Sequence, residues 1–504
     1  MNKESTVNTV FAWCCFGLAL FFCRMFPVVN KPLGGFLFTI AIFGATTAVL
    51  LVKKIKIPMG AIIMEVFSVL LSLAFIVSDN RFLSLGTLVG TLVGYCYFVY
   101  SATGNKLEKG LSDLLFFDYL KAMFIFPFYS LEEFFKVLGQ KKTKSGTAVA
   151  LKVLCGLGIA IIPTIIVFLL LSYDKDFTKI MDDIFSFNFS DVISWIVSIA
   201  FSIPVGMYIY GLFHTSCYDK GTDIFTKDYF NNGLNKVRIL PGITALTATA
   251  PILFIYVIYF ISQWKYYVSG FTGVLPEEFS YAAYAREGFF QLCAVSFINL
   301  LIILTITLFI KRAPEKSSLL LKILSVIFCV FTLVLISTAT AKLVMYIKEY
   351  GLTQKRIYAM WFMMVIALVY IVVALGQFIS RLKAFPVCVA IVLLLFAGLS
   401  LSNMNGVIAG YNVDRYIDGS LKTVDVEALE NLGDAAVPSL VKLEKHLEAK
   451  ASENETATAL LDCVDSALDR KCFQLFAKNE DNSFWKFSIP SYMARKSLKE
   501  TDRF

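Results

Sequence analysis

The chain has 504 residues, of which 57% are hydrophobic and only 17% are charged, whereas charged residues make up about 25% of an ordinary soluble protein. This composition excludes a typical soluble globular protein and indicates an integral membrane protein. Because the apolar runs are continuous rather than alternating, they predict membrane-spanning helices rather than strands.

Eleven apolar runs approach or reach the length that crosses a bilayer as a helix. They cover residues 9–23, 34–52, 59–77, 82–101, 147–171, 192–213, 243–262, 289–310, 318–339, 357–379 and 385–401. The sequence therefore predicts an all-α polytopic transmembrane helix bundle over residues 1–401. A small, soluble helical C-terminal domain is predicted over residues 402–504.

The orientation follows from basic residues, which short loops retain on the cytoplasmic side. The basic clusters that begin at Lys53, Lys141 and Lys311 fall on one side if the spans alternate. This predicts a cytoplasmic N-terminus and an extracytoplasmic C-terminal domain. The basic residues between Lys342 and Arg356 would then lie outside, so the alternative is a miscount of one span between residues 340 and 380.

Residues 111–139, between the fourth and fifth spans, are rich in aromatic side chains with charged residues interspersed, and Pro127 interrupts them. This pattern predicts two amphipathic helices lying in the membrane interface. A re-entrant pair of helices is the alternative.

Three glycines in the fourth span, Gly86, Gly90 and Gly94, are spaced four residues apart. Such a stripe lets another helix approach closely. Packing within the bundle is favoured over a dimer interface, because ten other spans are available as neighbours.

The densest polar cluster enters the eighth span and contains Tyr284, Arg286, Glu287 and Gln291. Tyr284, Glu287 and Gln291 share one helix face by their spacing of three and four. They are candidates to bind a lipid headgroup, an ion or a small solute. The alternative is an ordinary helix start at the interface, where tyrosines and a solvated Arg–Glu pair are common.

A second group of candidate binding residues, Tyr346, Tyr350 and Arg356, surrounds a predicted helix break. Gly351 suits the end of one helix and Thr353 the N-cap of the next. We expect the charges of this segment to meet those of Arg286 and Glu287 across the bundle.

The C-terminal tail has 13 basic and 17 acidic residues and so carries −4, which leaves +12 for the membrane part. The excess of basic residues therefore lies in the membrane part, where loops contact lipid headgroups, and no nucleic-acid partner is predicted. The tail pattern predicts a helical hairpin in which Asp434 caps the second helix. Cys463 and Cys472 are either unpaired or joined by a disulfide in an oxidising compartment.

No catalytic, cofactor or metal signature is present, and the chain has only two histidines. There is no HExxH motif, no phosphate-binding loop, no dinucleotide fingerprint and no GxSxG motif. The sequence therefore predicts no cofactor and no metal, and it favours a protein that is not an enzyme.

Four segments together, residues 281–292, 346–359, 411–440 and 483–496, resemble a bacterial multi-pass inner-membrane family known only as a domain of unknown function. The most specific residues open the tail: Asn412, Arg415, Tyr416, Gly419, Leu421, the turn Leu432, Gly433, Asp434 and Ala435, and Pro438. The last segment departs from the pattern, with Ser488 in place of an asparagine. The resemblance implies a bacterial cytoplasmic membrane and a helical tail, but no activity.

Three functional hypotheses follow. The leading one is a membrane protein that binds or passes a small solute or lipid, centred on the eighth span and the segment 342–359. The second is an envelope scaffold or sensor, in which Asn412, Arg415, Tyr416 and Trp485 dock the tail on the bundle or contact an envelope protein. The third is a lipid-modifying enzyme with Glu287 as its catalytic carboxylate.

Overall fold

The computed structural model describes residues 3–25, 31–110, 112–138, 189–218, 226–262, 281–310, 315–379, 381–450, 455–477 and 484–501, together with residues 167, 171, 264 and 503. Over these ranges the chain is helical, with one isolated β-bridge and no strand. The predicted all-α fold is confirmed.

The helices before residue 263 begin and end as follows: α1 Lys3–Met25, α2 Pro32–Val52, α3 Met59–Ser72, α4 Ala74–Val77, α5 Arg81–Ala102, α6 Leu115–Leu120, α7 Phe126–Tyr129, α8 Leu131–Leu138, α9 Phe189–Tyr218, α10 Lys227–Val237 and α11 Gly242–Ser262. The later helices are α12 Tyr281–Phe309, α13 Glu315–Tyr350, α14 Gln354–Gly376, α15 Ala384–Leu401, α16 Met404–Ile417, α17 Val426–Glu430, α18 Val437–Glu448, α19 Glu455–Cys472 and α20 Ile489–Lys499.

In the described part of the chain, 10 helical segments are long and apolar enough to cross a membrane. They correspond to ten of the eleven predicted spans. The fifth predicted span, residues 147–171, lies outside the described residues apart from two isolated positions.

Over residues 340–379, all of which the structure describes, the only candidate spans are the end of α13 and α14, so no span is added to the predicted ones. Instead α13 is 36 residues long, or about 54 Å at 1.5 Å per residue, which exceeds the roughly 30 Å of a hydrocarbon core. The helix is therefore longer than one crossing requires, and Lys348 lies in its last turn. The predicted break follows at Gly351, which has a φ of +74°, and the Thr353 side chain accepts a hydrogen bond from the Arg356 backbone N–H at 3.4 Å.

The ends of the first bundle define two faces of the protein. At one end, which we call the basic face, Lys53 and Asn8 donate hydrogen bonds to the Tyr218 hydroxyl at 2.8 and 2.7 Å. At the opposite end Arg24 donates to the Ser194 hydroxyl at 2.7 Å. Helices α1 and α9 are therefore antiparallel neighbours, and the tail packs at this second end, which we call the tail face.

Residues 115–138 form a broken helix whose inner side joins the core of the first bundle. Phe126 and Phe134 are fully buried against the bundle, whereas Phe124 and Phe128 are exposed. A π-helical turn, Lys121–Ile125, precedes Pro127. Pro127 follows this turn and has no N–H to give to the Met123 carbonyl four residues earlier. That carbonyl instead accepts a hydrogen bond from the Tyr208 hydroxyl at 2.9 Å. The segment therefore has a buried side and an exposed side, and the helix breaks after Tyr129 rather than at the proline. Its position in the membrane interface stays a prediction.

The three glycines of α5 face other helices of the same chain. A Cβ at Gly86 would lie 2.5 Å from the Phe396 ring of α15, and one at Gly94 would lie 2.2 Å from the Ser68 hydroxyl of α3. Leu71 of α3 lies 3.0 Å from a Cβ placed at Gly90. The prediction that this stripe serves packing within the bundle is confirmed.

We expect G94V to separate α3 from α5 and to lower the free energy of unfolding by about 1–3 kcal/mol, as overpacking does in other cores. The matched control is G44V in α2, where a Cβ meets no atom within 4 Å. Thermal unfolding of both variants in detergent checks this expectation. Equal stability of the two variants would contradict it.

The tail folds around its own hydrophobic core, which extends into the bundle. Leu440, Leu443 and Val464 are completely buried in this core, and Leu352 and Ile357 from the break between α13 and α14 pack against it. The tail and the bundle therefore share part of one core.

Two details of the tail were resolved by the structure. Asp434 does not cap α18. It lies in a 3₁₀ turn, and its carboxylate accepts a hydrogen bond from the Ser491 hydroxyl at 2.5 Å. The cap position is taken by Ala436, because the extra turn separates Asp434 from the helix that Pro438 begins. Cys463 and Cys472 are both free, since nine residues of one helix hold them about 13 Å apart.

Candidate functional site

The break between α13 and α14 places a cation over an aromatic ring. Because the chain reverses at Gly351, Arg356 in the first turn of α14 lies back over the last turns of α13. Its guanidinium carbon is 3.9 Å from the centroid of the Tyr346 ring. Arg356 also donates to the backbone carbonyl of Tyr350 at 2.9 Å and to that of Gly351. The guanidinium is thus held in one orientation by a ring and two carbonyls.

The tail covers this break through helix α16. Asn412 accepts a hydrogen bond from the Leu352 N–H at 2.7 Å and donates to the Leu352 carbonyl at 2.9 Å. A Cβ at residue 351 would lie 2.4 Å from the Asn412 amide oxygen, so only glycine fits there. Arg415 adds a hydrogen bond to the carbonyl of Ile347 at 3.3 Å.

A cleft of about 1180 Å³ lies between the ends of α12, α13 and α14 and the tail. Its apolar wall is formed by Phe289, Phe290, Leu343 and Met363, and its polar end contains Arg356. Ligand sites in proteins are commonly concave, largely apolar and equipped with a few convergent polar groups. The cleft meets that description.

A second set of polar groups, which we call the clasp, joins the tail to the bundle beside the cleft. It consists of Asp79 and Asn80 from the loop between α4 and α5, Gln354 and Tyr358 from α14, and Asn405 from α16.

Asn405 is the centre of the clasp and is almost completely buried. Its amide nitrogen donates to Asp79 at 2.8 Å and to the Leu432 carbonyl at 2.7 Å. Its amide oxygen accepts from Gln354 at 2.8 Å and from Asn80 at 3.3 Å. Both donors and both acceptor positions of the amide are therefore used.

Asp79 is the charged member of the clasp. Its second oxygen accepts a hydrogen bond from the Ala435 N–H at 3.0 Å. Burial raises the pKa of Asp79 above its usual value, and the donors from Ala435 and Asn405 oppose that rise. Gly433 passes so close that a Cβ there would lie 2.6 Å from the Asp79 carboxylate.

Comparison with known families decides the classification. Residues 66–443 match the family described as Domain of unknown function (DUF4153). The chain belongs to the DUF4153 family. No curated protein and no solved structure matches it.

The DUF4153 region contains the residues of both the cleft and the clasp. It extends much further toward the N-terminus than the four sequence segments indicated, since it begins within α3. It ends within α18, so the segment 483–496 lies outside it.

The structure brings some of the candidate binding residues together. Tyr346, Tyr350 and Arg356 line the cleft, and Asn412 lies on the tail side of it. Gln291 lines a separate cavity of about 30 Å³ and is 3.2 Å from the Tyr259 hydroxyl. The backbone of Tyr284, Arg286 and Glu287 is helical in α12, but their side chains, and thus the expected meeting with the segment 342–359, lie outside the described part.

The other tail residues have separate positions. Tyr416 packs, partly buried, on the core of the tail. Trp485 lies on α1, with its ring centroid 5.5 Å from that of Phe21. The described residues of the DUF4153 protein include no group of three or more side chains suited to a metal ion.

Sequence reasoning missed the clasp within the DUF4153 region. Asp79 and Asn80 occupy an ordinary polar loop, and their partner Asn405 follows more than 300 residues later. The turn at residues 432–435 was the one local signal for the clasp in the sequence. Asn405 and Asp79 form hydrogen bonds with the backbone of this turn.

We expect the D79N variant to change the pH dependence of stability. Because the folded-state pKa of Asp79 is raised above 3.8, the folded protein holds the proton more tightly, and the unfolding free energy falls as pH rises through that raised pKa. D79N removes this contribution. Unfolding of both proteins in detergent between about pH 4 and 7 measures the difference, and parallel pH profiles would contradict the assignment.

Proposed function

We propose that this membrane protein binds an anionic amphiphile in the cleft between the bundle and the tail. The observation that carries the proposal is the fixed Arg356 guanidinium at the polar end of a cleft of about 1180 Å³ with an apolar wall. Such a cleft has room for an acidic headgroup and part of a hydrocarbon chain. The proposal concerns binding and does not require a chemical reaction.

The charge distribution favours an anion at Arg356. Lys355 also lines the cleft, and within the described ranges no carboxylate forms an ion pair with Arg356. Guanidinium groups bind phosphate and carboxylate oxygens through paired hydrogen bonds, and a fixed guanidinium loses little entropy on binding. Asp425 lines the tail side of the cleft, and its carboxylate favours a headgroup that also carries a hydrogen-bond donor.

We infer the orientation from the two faces. Lys53, Lys54 and Lys56 lie at the basic face, which the positive-inside rule assigns to the cytoplasm. The proposal therefore places the protein in a bacterial cytoplasmic membrane with an extracytoplasmic tail and a cleft that opens toward the outer leaflet. Paired reporters fused after Phe504, one active only inside and one only outside, test this assignment.

The binding proposal is tested by measuring lipid retained on the purified protein. The R356Q variant should retain about tenfold less phosphatidylglycerol than the wild type, since a charge-assisted hydrogen bond contributes roughly 1.5–3 kcal/mol. R356K should retain an intermediate amount. The matched control is K348Q, which removes an exposed lysine from the last turn of α13, on the other side of the same helix break, that does not line the cleft.

The outcomes separate the functional hypotheses. Equal lipid retention by wild type, R356Q and K348Q would refute the cleft as a lipid site. A second protein that co-purifies with this chain in fixed proportion, in equal amounts from wild type and R356Q, would support an envelope scaffold. In that case the clasp would hold the tail in a fixed position for the partner. Conversion of the added lipid would instead support the lipid-modifying enzyme.

A further inference from the structure

The last helix of the tail, α20, has two apolar faces. Pro490, Ala494 and Leu498 are buried in the tail. Their spacing of four places them on one side of the helix. The second face contains Ile489, Tyr492 and Met493, which are exposed by 42%, 58% and 45%. One apolar face is enough to hold a helix on a core, so the second face requires another explanation.

The exposed face continues into the turn that precedes α20. Phe484 and Phe487 are exposed by 67% and 47%. We call the five residues Phe484, Phe487, Ile489, Tyr492 and Met493 the aromatic edge. Soluble surfaces rarely group this many large apolar side chains without a binding partner.

The position of the aromatic edge identifies that partner. Trp485, which follows Phe484 of the edge in the chain, packs against Phe21 of α1 at 5.5 Å between ring centroids. Phe21 is four residues from the end of its membrane span at Met25, or about 6 Å along the helix axis. The 3₁₀ turn Phe484–Lys486 also contacts α2, and α20 contacts α4. The aromatic edge is therefore level with the ends of three membrane helices.

We propose that the aromatic edge inserts into the interfacial region of the bilayer that α1 and α2 span. Tyrosine and tryptophan concentrate at this depth because their rings are amphipathic, and phenylalanine is common on the apolar face of helices that lie in the interface. Lys496 follows on the same side of α20 by its spacing of three and four from Met493 and Tyr492, where its ammonium can reach headgroup phosphates. The tail is thus held by the bundle and by lipid together. This inference does not rest on the proposed ligand of the cleft.

Photo-cross-linking tests the proposal in the full-length protein. A benzophenone amino acid replaces Phe487 in one variant and Phe473 in the control. Phe473 is even more exposed, at 72%, but lies in the turn after α19, outside the aromatic edge. Both variants are reconstituted in vesicles of phosphatidylethanolamine and phosphatidylglycerol, irradiated, and analysed for lipid adducts by mass spectrometry.

The expected result is a yield of lipid adducts about tenfold higher at position 487 than at position 473, as for a residue buried at the headgroup boundary. Equal yields would overturn the proposal. Adducts at 487 that contain only protein would also overturn it, because they would show that a second copy or another protein covers the edge. If the variant at 487 does not accumulate, the same comparison with the probe at Tyr492 gives the answer.

Discussion

Replacement of Asn405 by leucine is expected to release the tail from the bundle. The substitution removes both donors that Asn405 gives to Asp79 and to the Leu432 carbonyl, and the acceptor used by Gln354. Each buried polar group left without a partner costs roughly 1–3 kcal/mol. We therefore expect the clasp to weaken by about 3 kcal/mol or more, which is a hundredfold or greater change in the population of the open tail.

Hydrogen exchange of the full-length protein measures this opening directly. The amide of Ala435 donates to Asp79, so peptides from residues 432–440 should exchange about 100-fold faster in N405L, in line with the lost free energy. The control is N431A, which truncates an exposed asparagine of the same tail and should change stability by less than about 0.5 kcal/mol. If N405L and N431A exchange at the same rate, the clasp does not hold the tail.

The fold was largely predictable because membrane helices are encoded locally. A run of apolar side chains determines each span on its own, and ten predicted spans correspond to helices of the described chain. The break at 351–353 was equally local, since a glycine in the left-handed region and a threonine N-cap suffice to end one helix and begin another. The length of α13 was underestimated because hydropathy falls where a helix leaves the membrane, although the helix itself continues.

The candidate site was only partly predictable because its parts come from distant positions. Tyr346 and Arg356 lie ten residues apart, so the sequence itself placed them on either side of one break. Asp79 and Asn405 meet across more than 300 residues, and neither residue is unusual in its own loop. The assignment of Asp434 as a helix cap was wrong for a related reason: its carboxylate bonds Ser491 on another helix.

The tail determines one wall of the cleft and is attached at separate points. The clasp fixes one side, Asn412 fixes the helix break that orients Arg356, and Trp485 rests on α1. Because Asn412 bonds directly to Leu352, a displacement of the tail would move the backbone that holds the guanidinium. Ligand binding in the cleft and attachment of the tail are therefore expected to be coupled, and N405L should also lower lipid retention.

The largest expected loss of stability in the tail follows from replacing Arg503. Its guanidinium forms ion pairs with Glu444, Asp465 and Asp469, and the Glu444 side chain is only 7% exposed. R503Q leaves a buried carboxylate beside two others. Removing one partner of a buried ion pair costs about 3–5 kcal/mol, and we expect a loss of that size in the unfolding free energy of the tail, measured by hydrogen exchange of α18 and α19.

The matched control for R503Q is R470Q. Arg470 makes two hydrogen bonds to Glu430, at 2.9 and 2.7 Å, but its side chain is 56% exposed. Water screens an exposed ion pair, so such a pair contributes little to stability. Removing the Arg470 charge should therefore have a much smaller effect than removing the Arg503 charge. Comparable losses in the two variants would show that the Arg503 cluster stabilises the tail no more than a surface pair.

Acid should partly restore the R503Q variant. Burial already raises the pKa of Glu444, with Asp465 adding to the rise and Arg503 opposing it. Without Arg503 the folded protein binds the Glu444 proton still more tightly, so its stability increases as the pH falls through that raised pKa. The difference between wild type and R503Q should therefore shrink from about pH 7 to pH 5. A difference that stays constant over this range would mean that R503Q acts through lost packing rather than through an uncompensated charge.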